Sequence, residues 1–243
     1  MVMLVCAPAH ADEYEWRVPF ITTPGDVVER MLEMAGTGRD DLVADLGSGD
    51  GRIVIAAARR FGARGLGIEL DEKLARDSRE NARTAGVADK VTIVQGDVLT
   101  ADFSRASVVT VYLLPGLIEK LQSRFVNELR PGTRIVSHAF RMTGWRPDPA
   151  QTVRVTQPHT GQGDESTLYL WIVPADVRGV WTIEGGAGAG RSVRIEQNYQ
   201  EIDVEGATQA RLSGAQISWT GFRGRVDGER IFGDDGVVLT RRR

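Results

Sequence analysis

From residue 42 to residue 140 the chain alternates short apolar runs with longer segments of helical period. DLVADLG, RGLGIELD, KVTIVQGD, SVVTVYLLP and TRIVSHAF have strand length, and most end at glycine, proline or an acid. Between them, RIVIAAARRFG, EKLARDSRENARTAG and LIEKLQSRFVNELRPG bring apolar residues back every three or four positions and stop at glycine, the pattern of helices. A helix is also predicted within VPFITTPGDVVERMLEMAG, with the Thr23 hydroxyl as cap and Pro24 in the first turn. Such alternation predicts βαβ units. The expected fold class is α/β, a doubly wound, Rossmann-like parallel sheet with helices on both faces.

The pattern changes near residue 151. TVRVTQ and STLYLWIVP flank the polar HTGQGDE and predict an antiparallel hairpin that completes seven strands. After Pro174 the helical period is lost. VWTIEGG, RSVRIEQNYQEIDVEG, AQISWTG and GVVLTRR alternate and are cut by glycines, which predicts a small antiparallel β-module over residues 176–243. GGAGAG at 185–190 reads as a hairpin turn, because no helix follows it. Residues 12–175 are then the expected main domain.

Composition removes some classes. Of 243 residues, 42% are hydrophobic and 26% charged, the balance of an ordinary globular chain. A net charge of −3 speaks against a general nucleic-acid binder, whose footprint is basic. Cys6 is the single cysteine, so no internal disulfide is available. The three histidines, His10, His138 and His159, show no ligand spacing, and no metal is expected. No run approaches the ~18 apolar residues of a membrane span. The lead MVMLVCAPAHADEYEW has an apolar run and Ala9-His10-Ala11. Residues 1–11 therefore resemble the end of a secretory signal that lacks its basic start. Cytoplasmic and exported placements both remain open.

The chemistry concentrates in VADLGSGDGR, residues 43–52. A glycine-rich turn between a first strand and a helix lets backbone approach a ligand at the helix N-terminus. A dinucleotide fingerprint spaces its glycines G-x-G-x-x-G. Here Gly47, Gly49 and Gly51 are spaced G-x-G-x-G, and Arg52 stands where the third small residue belongs. Asp45 precedes Gly47 by two positions. A carboxylate there sits poorly beside a pyrophosphate and well beside an ammonium or sulfonium. The spacing therefore favours S-adenosylmethionine over NAD. Glu69 lies 18 residues after Gly51 at the end of the second strand, where an acid accepts from ribose hydroxyls. Asp97 ends the third strand, where an acid accepts from an adenine amine.

DLGSGDG, GIELD and QGDV together resemble the class I, seven-β-strand S-adenosylmethionine-dependent methyltransferases over about residues 18–174. The resemblance implies that Asp45, Gly47 and Gly49 line the methionine end, with Ser48 and Gly51 in the same loop, Glu69 at the ribose and Asp97 at the adenine. VPFITTPGDVVERML and VVTVYLLPG are further similar to small bacterial and mitochondrial protein-lysine methyltransferases. That likeness implies a segment with Thr22, Thr23 and Pro24 near the cofactor, and Tyr112 and Pro115 where the methyl group is delivered. The chain departs from this group at Ser107, where the family has acids. Amino-methylating nucleic-acid enzymes usually carry Asn/Asp-Pro-Pro-Tyr at the fourth strand's end; Tyr-Leu-Leu-Pro does not fit them.

The expected function is in-line methyl transfer to an amine, with protein lysine favoured. Tyr112 and His138 are the candidate catalytic residues, Tyr112 also touching the cofactor and His138 accepting a proton or a hydrogen bond. Structural roles for both remain open alternatives, and Trp145 and Trp171 read as core or sheet-edge residues. A small-molecule acceptor and a non-catalytic nucleoside-binding protein of the same fold are the rival readings.

Overall fold

The computed structural model describes residues 21–148, 150–159 and 163–242, so the signal-like lead lies outside the described residues. Elements follow the order α1 (Gly25–Met34), β1 (Leu42–Leu46), α2 (Arg52–Phe61), β2 (Arg64–Glu69), α3 (Glu72–Thr84), β3 (Val91–Gln95), β4 (Val108–Val111), α4 (Pro115–Glu128), β5 (Arg134–His138), β6 (Ala150–His159) and β7 (Gly163–Ile172). They build a seven-stranded sheet ordered β3-β2-β1-β4-β5-β7-β6. Strands β1 to β5 are parallel, and β7 and β6 close the edge as the antiparallel hairpin expected from the sequence. The order reverses between β1 and β4, and the crevice beyond the carboxyl ends of these two strands is the natural ligand position of such a sheet.

Strand alternation explains the two cores. Val43, Val108 and Val136 pack against Val27, Met31 and Leu32 of α1 and Ile53 and Ala57 of α2. Their neighbours Ala44, Val109 and Ile135 point to the opposite face, onto Ile118, Leu121 and Phe125 of α4. Each fully buried side chain of this size contributes about 1.5–3 kcal/mol. Helix α3 is tied at its start by the Asp71 carboxylate, which accepts from the Leu74 N–H at 2.9 Å. Helix α2 runs between two left-handed glycines, Gly51 and Gly62.

The cap expected at α1 is not formed. Pro24 is the cap residue and makes no side-chain bond. The Thr23 hydroxyl lies instead 3.5 Å from His138 Nδ1, a partner 115 residues away. The fourth strand is also shorter than its apolar run. It ends at Val111, and Pro115 starts α4, so Tyr112, Leu113 and Leu114 form the turn over the sheet end.

A second sheet follows, with β8 (Gly179–Glu184), β9 (Ser192–Asn198), β10 (Glu201–Val204), β11 (Arg211–Ser213), β12 (Gln216–Trp219), β13 (Phe222–Asp227), β14 (Arg230–Gly233) and β15 (Val238–Arg241). It is antiparallel, in the order β10-β9-β8-β15-β14-β13-β12-β11. The two outer strands β10 and β11 approach each other, making a near barrel. Trp181, Ile195, Leu212, Ile217, Ile231 and Leu239 fill its interior. The run RSVRIEQNYQEIDVEG is two strands turned at Tyr199 and Gln200, and β11, β13 and β14 add strands that the alternation did not mark. The glycine run forms the short turn Gly186–Gly188 between β8 and β9. Among the described residues no helix is long and apolar enough to cross a membrane.

Candidate active site

A cavity of about 590 Å³ opens over the ends of β1, β2, β3 and β4, within the ~300–1,000 Å³ usual for small-molecule sites. Its wall brings together Thr22, Thr23, Asp45, Gly47, Ser48, Gly49, Glu69, Asp97 and Tyr112. All these residues were expected at one site from the sequence.

The glycine loop has the backbone its composition suggested. Gly47, Gly49 and Gly51 all take positive φ, at 77°, 53° and 80°. A Cβ on Gly47 would stand 2.8 Å from Leu113 Cδ2, so this glycine lets the loop lie against the turn after β4. Gly51 differs from the expectation. It is not on the cavity wall, and a Cβ there would meet Ser78 Oγ at 2.1 Å. The positive φ and the packing of α2 against α3 account for glycine at this position.

Two acids hold the loop. Glu69 accepts from the Gly49 N–H through Oε2 at 2.7 Å and from the Asp71 N–H through Oε1 at 2.9 Å. One carboxylate thus joins the first and second strand ends, and each oxygen keeps a lone pair. Asp97 accepts from the Leu99 N–H through Oδ1 at 2.8 Å.

Asp45 is 3% exposed and accepts from Thr110 Oγ1 on β4 at 2.7 Å. Burial pushes its carboxyl up to about 7, the charges of Glu69 and Asp50 add to this, and the Thr110 bond opposes it. A buried acid poised near neutrality on a cavity wall ionises readily beside a cation.

Arg52, read in the sequence only as an obstacle to a dinucleotide, ties two parts of the wall. Its Nε and Nη2 hold the Asp50 carboxylate at 2.6–3.1 Å, and its Nη1 donates to the Thr23 carbonyl at 2.9 Å. The segment before α1 is thereby fastened to the glycine loop.

At the other end Tyr112 faces the cavity, and burial raises its phenol above its ordinary value. Its ring lies 4.2 Å from that of His138 and 6.3 Å from that of Phe140. His138 is fully buried and stands one layer behind Tyr112, off the cavity wall. The expectation that it meets a substrate directly is corrected accordingly: His138 reaches the cavity through Tyr112 and Thr23. Trp145 and Trp171 are core residues, 1% and 0% exposed. Among the described residues no group of three or more His, Cys, Asp or Glu is arranged to hold a metal ion.

The sequence did not single out Thr110 or Phe140. Thr110 had a signal, as the one hydroxyl in the buried run VVTV. Phe140 had none, because its position depends on Ala139 at φ 68° turning the chain back after β5.

Residues 45–149 match the ANTKMT methyltransferase domain family. The chain is 39% identical over 161 residues to a protein-lysine N-methyltransferase of Saccharolobus islandicus (strain REY15A), covering 66% of this chain and 96% of that protein. It is 31% identical over 182 residues to a lysine N-methyltransferase of Mus musculus that is named for the ATP synthase, covering 75% of this chain but only 64% of the mouse protein. A crystal structure described as an RNA methyltransferase from Salinibacter ruber, in complex with S-adenosyl-L-homocysteine, superposes with a TM-score of 0.58 at 49% identity, over 64% of this chain and 95% of that one. With the seven-stranded sheet and the site at its order reversal, these likenesses establish that the chain belongs to the class I S-adenosylmethionine-dependent methyltransferases, in the family of the protein-lysine methyltransferases.

Proposed function

We propose that this methyltransferase acts on the side-chain amine of protein lysine, with the cavity wall described above as its cofactor site. The observation that carries the reading is the acceptor end. The turn Tyr112-Leu113-Leu114 presents one phenol amid apolar groups, backed by His138 and Phe140, with no Asn or Asp to grip a flat base amine. A lysine must lose its proton before it attacks, and an apolar channel lowers its pKa toward that state. The archaeal and mouse relatives, named for lysine methylation, support the same reading.

The residues fit the cofactor. S-adenosylmethionine supplies a methyl carbon already activated by a positively charged sulfur, so the protein has to align, exclude water and steady charge. In this reading Asp45 faces the cationic methionine end, where burial alone would keep it protonated. Gly47, Ser48 and Gly49 give a backbone surface without side-chain bulk. Glu69 offers its remaining lone pairs to the ribose hydroxyls, and Asp97 its remaining oxygen to the adenine amine. Thr22 and Thr23 cover the ligand, held there by Arg52. Tyr112, kept protonated by its raised pKa, uses its phenol oxygen to accept an N–H of the incoming amine and orient its lone pair. His138 and Phe140 fix the Tyr112 ring.

A second reading has one specific support: the Salinibacter ruber structure, 49% identical, is described as an RNA methyltransferase. Incubation with methyl-labelled S-adenosylmethionine and cell extract separates the two. Label in nuclease-resistant protein, recovered as methyl-lysine after hydrolysis, supports protein lysine. Label that is lost to ribonuclease and resists protease transfers the assignment to RNA.

A further inference from the structure

The β-module has no part in the site just described, yet one of its residues leaves it. Asn198 pairs with Glu201, so Tyr199 and Gln200 make a two-residue turn between β9 and β10. Tyr199 takes this turn at φ 53°, a conformation ordinary for glycine or asparagine and strained for an aromatic residue. Strain of this kind persists where the surroundings impose it. Here the surroundings belong to the helix and loop layer of the first domain. The Tyr199 ring lies flat on Trp145, with centroids 4.9 Å and planes 6° apart. Its hydroxyl accepts from Gln122 Nε2 at 2.6 Å. The same Nε2 donates to the Thr143 carbonyl at 2.8 Å. Gln200 Nε2 donates to the Arg146 carbonyl at 2.6 Å. Tyr199 thus packs with the core around α4 and β5, and not with the core of the near barrel.

The elements it touches flank the acceptor end. Gln122 is on α4, which begins directly after Tyr112, Leu113 and Leu114. Trp145, Thr143 and Arg146 lie in the loop after His138 that also carries Phe140, the ring beside Tyr112. A second point of attachment is backbone on backbone: a Cβ on Gly214, in the β11–β12 turn, would stand 2.9 Å from Gly132 Cα.

We infer that Tyr199 is a positioning residue, through which the β-module braces α4 and the β5–β6 loop and so fixes the acceptor end of the site. The inference rests on the placement of the acceptor end at Tyr112. The archaeal relative is matched over 96% of its length by 66% of this chain, so about a third of this chain has no counterpart there.

The test compares full-length parent, Tyr199→Ala and Tyr199→Phe by amide hydrogen exchange, with calorimetry of S-adenosylhomocysteine and methyl transfer to poly-L-lysine alongside. In Tyr199→Ala, residues 139–148 and α4 exchange about tenfold faster, from loss of the stack and the hydroxyl bond. The glycine loop and strands β13 and β14 keep parent rates, and the affinity for S-adenosylhomocysteine stays within about twofold. Tyr199→Phe keeps the ring and restores slow exchange around Trp145, while the segment at Gln122 and Thr143 stays fast. On poly-L-lysine, Tyr199→Ala raises KM about tenfold at nearly constant kcat. Parent-like exchange at 139–148 in Tyr199→Ala, or faster exchange in all elements alike, would overturn the brace. If the parent transfers no methyl to poly-L-lysine, the lysine reading loses support, and the exchange result still decides the brace.

Discussion

Thr110 Oγ1 donates to Asp45 Oδ1 across 2.7 Å, joining the two strands at which the sheet order reverses. The bond steadies an acid that burial pushes up to about 7. The sign of its pH dependence follows. With its folded pKa raised, Asp45 costs the ligand-free protein nothing below the ordinary carboxylate range, and the cost grows until it is complete above about 7. Asp45→Asn should therefore melt higher than the parent at pH 8, with the gap shrinking as pH falls and closing only below about pH 4. Thermal unfolding without ligand checks this, and a gap that does not vary with pH would count against a charged Asp45 as the source.

The same titration governs binding. A cationic ligand selects the ionised carboxylate, so affinity should rise with pH through about 7. Between pH 6 and 7.5 the gain should be roughly eightfold for S-adenosylmethionine, from the fraction ionised in the free protein. Asp45→Ala should bind much more weakly and lose this slope. Calorimetry at the two pH values in each protein measures both effects.

Arg52 spans the glycine loop and the Thr23 carbonyl with a fork of three nitrogens. Arg52→Ala should release the segment before α1 and speed dissociation of S-adenosylhomocysteine roughly tenfold or more, by loss of charged hydrogen bonds, with little change in association. Arg52→Lys should recover little of it, because an ammonium cannot hold Asp50 through two nitrogens and reach Thr23 as well. Stopped-flow binding separates the two rates. An unchanged dissociation rate would remove Arg52 from the role of fastener.

Tyr112→Phe removes the phenol and keeps the ring against His138. Turnover should fall about tenfold, the loss of one hydrogen bond made at the reacting amine, while affinity for S-adenosylhomocysteine stays nearly constant. Equal losses in both would place the hydroxyl at the cofactor and not at the acceptor.

Gly47→Ala imposes a Cβ at φ 77° and 2.8 Å from Leu113 Cδ2. It should destabilise the fold by about 1–3 kcal/mol. Denaturant unfolding reads this loss, and an unchanged midpoint would show that the loop has another conformation.

Much of this site was legible because its parts recur at strand ends. The spacing of Gly47, Gly49 and Gly51, and the acids Asp45, Glu69 and Asp97, each sit where a strand of a parallel sheet meets its crevice. Local order in the chain places them, and the cavity wall carries nearly all of them. What was not legible depends on partners far away in sequence. Thr23 reads as a helix cap beside Pro24, yet its hydroxyl is beside His138. Gly51 reads as part of the cofactor loop, yet its φ of 80° and the closeness of Ser78 on α3 are what disfavour a side chain there. His138 reads as a strand-end residue able to meet a substrate, with a structural role as the alternative, but it is buried and Tyr112 stands between it and the cavity. The run around Tyr199 reads as one alternating strand. A turn on an aromatic residue carries no glycine or proline mark, and its cause is the stack on Trp145.

The most direct test is a calorimetric titration of the purified parent with S-adenosylhomocysteine and, separately, with NAD. The arrangement of Asp45, Glu69 and the glycine loop predicts micromolar binding of the first and none of the second. Binding of NAD in place of S-adenosylhomocysteine, or of neither, would contradict the account of the site.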